Sequence, residues 1–145
     1  MIYLSKKFDT TVPYNEENSL EPPKSNYGTL KNYIDGEFVE SESDDHDEIL
    51  NPATMEPVYN APRSTKSELK EAIDVANEAW WEWRTTPPVD RARMMHRLTD
   101  ILEDNFEMLA RVLSQEMGKT IYEARGEIRR GIENVETAAG IPSLM

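Results

Sequence analysis

Apolar and polar positions divide the chain into an aperiodic run, a strand-rich stretch and three helical stripes. Residues 1–30 show no sustained period and carry Pro13, Asn15, Asn18, Ser19, Pro22, Pro23 and Ser25. That composition predicts a mobile tail; a translation start further downstream is the other reading. Tyr33 to Val39 reads as a β-hairpin, because Asp35-Gly36 supplies a turn in which both central residues need positive φ. Ser41 to Glu48 reads as an acidic loop, since Glu42, Asp44, Asp45, Asp47 and Glu48 repel one another and stay solvated. Asn51-Pro52-Ala53-Thr54 is a turn opened by Asn-Pro. Pro57-Val58-Tyr59 is a short strand, with Pro57 at its start or on a sheet edge.

Helical period begins at Thr65. Thr65 and Glu68 form a capping box, and Leu69, Ala72, Ile73, Ala76, Trp80 and Trp83 recur every three or four residues as one apolar face. Burial of Leu69 and Ile73 would contribute about 1.5–3 kcal/mol each. Trp80, Trp81 and Trp83 could form a stacking platform for a ligand; at this spacing two of them read more simply as core anchors. Pro87 and Pro88 end the pattern. A second helix is predicted from about Val89 to Met117, with Ala92, Met95, Leu98, Leu102, Phe106, Leu109 and Leu113 as its buried stripe and Gly118 as its C-cap. A third starts after Thr120, with Glu123 completing another capping box and Ala124, Ile128, Ile132, Val135 and Ala139 facing inward. Gly126 and Gly131 cost this helix about 1 kcal/mol each against Ala, which suggests close approach of a backbone or a ligand. Few short strands are left to cover wide helical stripes. Trp80, Trp83, Met95, Leu102 and Phe106 are therefore expected to leave an apolar patch exposed.

With 145 residues, 38% apolar and 30% charged, the chain fits one domain and holds no apolar window of membrane-spanning length. A net charge of −12 argues against a nucleic-acid partner. It fits solubility or a salt-adapted cytoplasm. Residues 1–30 read as neither signal nor transit peptide, so a cytoplasmic location is expected. The absence of cysteine removes disulfides, thiolate metal sites and thiol nucleophiles. No Gly-rich phosphate loop and no metalloprotease or calcium-loop spacing is present. His46, among carboxylates, reads as a solvated loop residue rather than a metal ligand, and His96 lies off the apolar stripe beside Arg93 and Arg97. Glu133 and Glu136, three apart on one face, could act as acid and base; a solvated face explains them as well.

Five segments in order carry a family resemblance. Asn32 to Ser41 resembles the opening hairpin of aldehyde dehydrogenases, and Asn51-Pro52-Ala53-Thr54 resembles the turn that follows. Ala79 to Arg93 carries a similar Trp, Pro, Arg-Ala-Arg series. Glu116-Met117-Gly118-Lys119-Thr120 with Glu123-Ala124 resembles a further segment. Arg125 to Met145, around Arg130-Gly131-Ile132-Glu133-Asn134, is similar to one helix of the CoA-acylating methylmalonate-semialdehyde dehydrogenases. The resemblance implies an α/β fold, with residues 31–145 as the start of the NAD-binding domain, present here as short strands plus three helices. It also implies NAD as cofactor, coenzyme A as co-substrate, a small semialdehyde as substrate and a homo-oligomer when complete. In that mechanism a cysteine thiolate attacks the aldehyde, an oxyanion hole steadies the intermediate, hydride passes to NAD and CoA takes the acyl group.

Arg130 stands where that branch has the arginine implicated in holding the substrate carboxylate, and a guanidinium fork suits a carboxylate. From spacing alone, a solvated arginine beside Arg129 is the favoured reading; the resemblance is what brings the carboxylate role level with it. The family's cysteine, oxyanion Asn and nucleotide-binding strands have no counterparts in these residues. The chain is thus expected to be an N-terminal portion, inactive alone. Two alternatives stand beside this: an assembly fragment that docks on a larger dehydrogenase subunit, and part of a dehydrogenase for another semialdehyde.

Overall fold

The structure, a computed structural model, describes residues 23–144. The Asp35-Gly36 turn joins strands β1 (Asn32–Ile34) and β2 (Glu37–Val39) into an antiparallel pair, with Tyr33 opposite Phe38. Both turn residues take positive φ, 51° and 79°, as the hairpin requires. A second antiparallel pair joins β3 (His46–Leu50) to β4 (Pro57–Pro62), with an irregularity between Ile49 and Leu50. Its connection is the expected Asn-Pro turn: Asn51 Oδ1 accepts from Ala53 N at 2.9 Å.

Two expectations for this half need correction. The acidic loop ends early, because His46 to Leu50 is a strand. Arg63, just past β4, forks onto Asp47 through Nε at 3.0 Å and Nη2 at 2.6 Å, offsetting the repulsion that argued for a loop. The tail expected over 1–30 does not extend to its last residues. Tyr27 N and Leu30 N donate to the carbonyls of Val58 and Asn60, and Asn60 N donates to Gly28 O, so residues 27–30 line β4. Residues 1–22 lie outside the described part.

Helix α1 (Lys66–Trp83) begins at the predicted capping box, with Thr65 Oγ1 accepting from Glu68 N and Glu68 reaching back to Thr65 N. The long second helix is two: α2 (Pro88–Asp104) and α3 (Phe106–Met117). Asn105 interrupts them with φ −104° and ψ 10°, and its side-chain amide donates to Ile101 O at 2.8 Å. Asparagine competes for backbone groups in this way, while apolar periodicity registers nothing. The bend lets both helices lie against α4 (Ile121–Gly140), which continues into a 3₁₀ turn (Ile141–Leu144). Gly118 caps α3 at φ 68° as expected.

Full burial is concentrated where α2, α3 and α4 meet, at Ala110, Ala124, Ile132 and Ala139, with Val58 inside the strand region. The predicted inner face of α4 is borne out. The α1 face is not: Leu69 is 61%, Ile73 51% and Trp80 53% exposed, and among the described residues α1 packs substantially against no other helix. Their predicted burial energy is not realised within these residues. An amphipathic stripe shows that a helix has an inner face, not which surface receives it.

Candidate carboxylate site on α4

The second capping box fixes where α4 starts. Thr120 Oγ1 accepts from Glu123 N, and Glu123 Oε2 accepts from Thr120 N. With Ala124, Ile132 and Ala139 buried, the helical period turns Arg125, Arg129 and Arg130 toward solvent.

These arginines divide into two kinds. Arg125 grips Glu107 through Nε at 3.0 Å and Nη2 at 2.7 Å. Its hydrogen bond and charge hold the Glu107 carboxyl below the usual range. Arg129 forks onto Glu103 and lies over the Phe106 ring at 4.9 Å. Both are therefore staples between α4 and the α2–α3 unit. Arg130 is different. Its side chain is 67% exposed, and its ion-pair partner among the described residues is Glu127, at 3.7 Å. Adjacent residues in the sequence thus do separate work, and Arg130 presents the open fork.

The glycines around it leave space rather than meeting a neighbour. A Cβ on Gly131 would touch nothing within 4 Å, and one on Gly126 would meet only Arg130 Nη1 at 3.7 Å. Among the described residues no backbone of another element would meet a Cβ at either, contrary to one of the two expectations for them. Glu133 and Glu136 act through charge on Arg129, raising its pKa behind the larger effect of its hydrogen bond to Glu103. Nothing further joins them as an acid–base pair.

The other candidates are dispersed. His46 Nδ1 lies 3.4 Å from Asp44 O, and no cluster of metal-ligating side chains occurs among the described residues. Trp81 carries the Arg84 guanidinium at 4.3 Å from its ring centre, while Arg91 lies 6.0 Å from that of Trp83. Trp80 and Trp81 are exposed rather than core anchors. Two residues beside Arg130 escaped the sequence reading: Glu127 and Lys119, which meet at 2.5 Å. Lys119 also lines an open cleft of about 430 Å³, with Arg111, Ser114 and Asn51. The only sequence signal for this was the shared helix face of Glu127 and Arg130.

A Rossmann-type dinucleotide site uses a Gly-rich turn from a parallel strand into a helix. The described strands form two antiparallel pairs, and no such turn is present among the described residues. The described residues hold no NAD site of that kind. The arrangement can recognise a carboxylate, and it contains no thiol.

The aldehyde dehydrogenase family model matches residues 38–145. A malonate-semialdehyde dehydrogenase of Listeria monocytogenes serotype 4a (strain HCC23) is 47% identical over 116 residues, covering 80% of this chain and 24% of the relative. A methylmalonate-semialdehyde dehydrogenase structure from Oceanimonas doudoroffii superposes with a TM-score of 0.77 at 38% identity, covering 81% of this chain and 24% of that one. An NAD-dependent benzaldehyde dehydrogenase from Corynebacterium glutamicum follows at 0.75 and 26%, over 79% and 25% of the two chains. The chain therefore spans about a quarter of the length of the relatives it matches. A family match over most of the sequence, and structural matches that cover about four-fifths of it, agree: the chain belongs to the aldehyde dehydrogenase family.

Proposed function

We propose that this chain works as the N-terminal portion of an NAD-dependent, CoA-acylating dehydrogenase for malonate- or methylmalonate-type semialdehydes. Arg130 is the observation that carries the substrate class. It is the α4 arginine left uncommitted by the ion pairs that consume Arg125 and Arg129, and it sits in the segment similar to that branch. Its role is to hold the distal carboxylate of the semialdehyde in a charge-assisted grip, which fixes the aldehyde carbon relative to a nucleophile supplied elsewhere. Gly131 leaves the approach open. The names of the similar proteins support a malonate-type substrate, and the NAD-dependent neighbour supports the cofactor.

These residues do not run the reaction alone, since none of them can form a thiolate. The bare face of α1 suits burial against the remainder of such a fold, or within its oligomer. A cytoplasmic location goes with this reading. Among the described residues, no helix is long and apolar enough to cross a membrane.

The test has two arms. The purified 145-residue chain is expected to form no NADH from methylmalonate semialdehyde, NAD and CoA; measurable NADH would overturn its incompetence. A full-length dehydrogenase carrying this segment is expected to release acyl-CoA with NADH. Release of the free acid, or no preference for carboxylate-bearing aldehydes, would overturn the reaction assigned.

A further inference from the structure

Arg130 can grip a substrate carboxylate only if no protein carboxylate already fills its fork. We propose that Lys119 is a positioning residue for Arg130: it takes up Glu127, so that Glu127 does not capture the guanidinium. The inference rests on the reading of Arg130 given above, and it concerns how that arginine is kept available.

The geometry is a competition for one oxygen. Glu127 Oε1 lies 2.5 Å from Lys119 Nζ and 3.7 Å from Arg130 Nη2. The first is hydrogen-bond contact; the second is beyond it. Glu127 stands three residues before Arg130 on the same helical face, the spacing at which a Glu–Arg pair ordinarily closes. Here the ion pair stays outside hydrogen-bond distance, with Lys119 on the shared oxygen. Lys119 is held in place for this. Gly118 turns the chain through φ 68° to end α3, and Ser114 Oγ donates to Lys119 O at 2.7 Å. Lys119 and Glu127 are the more buried members of the trio, with side chains 29% and 35% exposed, so their pairing is the better shielded from water. In keeping with this, the Lys119 hydrogen bond is the main influence holding the Glu127 carboxyl below its usual range, while Arg130 acts only through charge. Meanwhile Arg130 Nη1 lies back over Gly126, where a Cβ would sit 3.7 Å away. The guanidinium is thus laid along α4 and left with free donors. Arg125 and Arg129 show the alternative, since each is forked onto its glutamate.

The test reads the Arg130 guanidinium by NMR in the 145-residue chain, through the rate of rotation about its Cζ–Nε bond. In the wild-type chain Arg130 is expected to rotate about as freely as in Glu127→Gln. In Lys119→Met, Glu127 should close onto Arg130 and slow that rotation several-fold. Glu127→Gln added to Lys119→Met should restore it, and Lys119→Arg should behave as wild type. An unchanged Arg130 in Lys119→Met overturns the proposal, and so does a large gain in mobility from Glu127→Gln alone. In a full-length dehydrogenase carrying this segment, Lys119→Met should raise KM for a carboxylate-bearing aldehyde by roughly twofold to fivefold. Neither kcat nor KM for an uncharged aldehyde should change, and a fall in kcat instead would mark a merely structural role. If Arg130→Ala leaves the KM for the carboxylate-bearing aldehyde unchanged, the substrate reading has failed. The NMR result needs no substrate and separates that failure from this one.

Discussion

Glu68 is the most heavily used side chain in the described residues. Its carboxylate accepts from Asn32 Nδ2, Ser41 Oγ, Glu42 N and Thr65 N, at 2.7–3.2 Å, and so ties the β1–β2 hairpin to the start of α1. The Thr65 backbone hydrogen bond, with smaller help from Thr65 Oγ1, Glu42 N and Ser41 Oγ, lowers its pKa to about 2. A carboxyl whose folded pKa lies below its unfolded value stabilises the fold above the unfolded pKa, and that contribution is lost as pH falls. Glu68→Gln should therefore melt at lower temperature than the wild type at pH 7. The gap should hold down to about pH 5 and close between about pH 4.5 and pH 2; a gap independent of pH would show that the charge is not what binds the hairpin. Gly118 gives a second prediction. Its φ of 68° opposes a side chain, and so does Pro52, whose Cγ would lie 2.7 Å from an added Cβ. Gly118→Ala should cost about 1–2 kcal/mol or more, read as a lower urea midpoint at unchanged slope; no loss would mean that the Pro52 turn gives way freely. Half of each residue's role was legible in the sequence. Both capping boxes and the Gly118 cap follow from local residue order, whereas the Glu68 contacts to Asn32, Ser41 and Glu42 need a tertiary fold to bring them together.

At the level of elements, local signals read well and interruptions read poorly. The Asp35-Gly36 hairpin, the Asn51 turn and the buried face of α4 are all as predicted, because each depends on turn chemistry or period within a few residues. The division of α2 from α3 was missed because Asn105 breaks the backbone without breaking the apolar stripe. Strand β3 was missed because its acidic composition hides a partner, Arg63, that lies 16 residues downstream. In α4, Gly131 has empty space around it. Gly131→Ala should accordingly stabilise the purified chain by about 1 kcal/mol through helix propensity, raising its melting temperature. A fall in melting temperature would show that something occupies that space.

On the scale of the whole molecule, the described residues form a thin, one-sided core. Ile132 is the one large side chain fully buried among the described residues, while Leu69, Ile73, Trp80 and Trp81 face outward. The sequence announced an uncovered apolar patch and placed Trp80 in it correctly; it also placed Trp83, Met95, Leu102 and Phe106 there, which are half-buried. Acrylamide should quench most of the tryptophan fluorescence of the purified chain. Strong protection would mean that the α1 face is covered in solution. The candidate site was legible only through the resemblance around Arg130, since spacing alone could not separate it from Arg129; the ion pairs do separate them. The most direct test is thus the effect of Arg130→Ala on a full-length dehydrogenase carrying this segment, measured with malonate semialdehyde and with an uncharged aldehyde such as propanal. If Arg130 holds the substrate carboxylate, KM for malonate semialdehyde rises by roughly tenfold or more, as for loss of a charged hydrogen bond, while KM for propanal stays where it was. Equal KM values for wild type and variant on malonate semialdehyde would contradict that role.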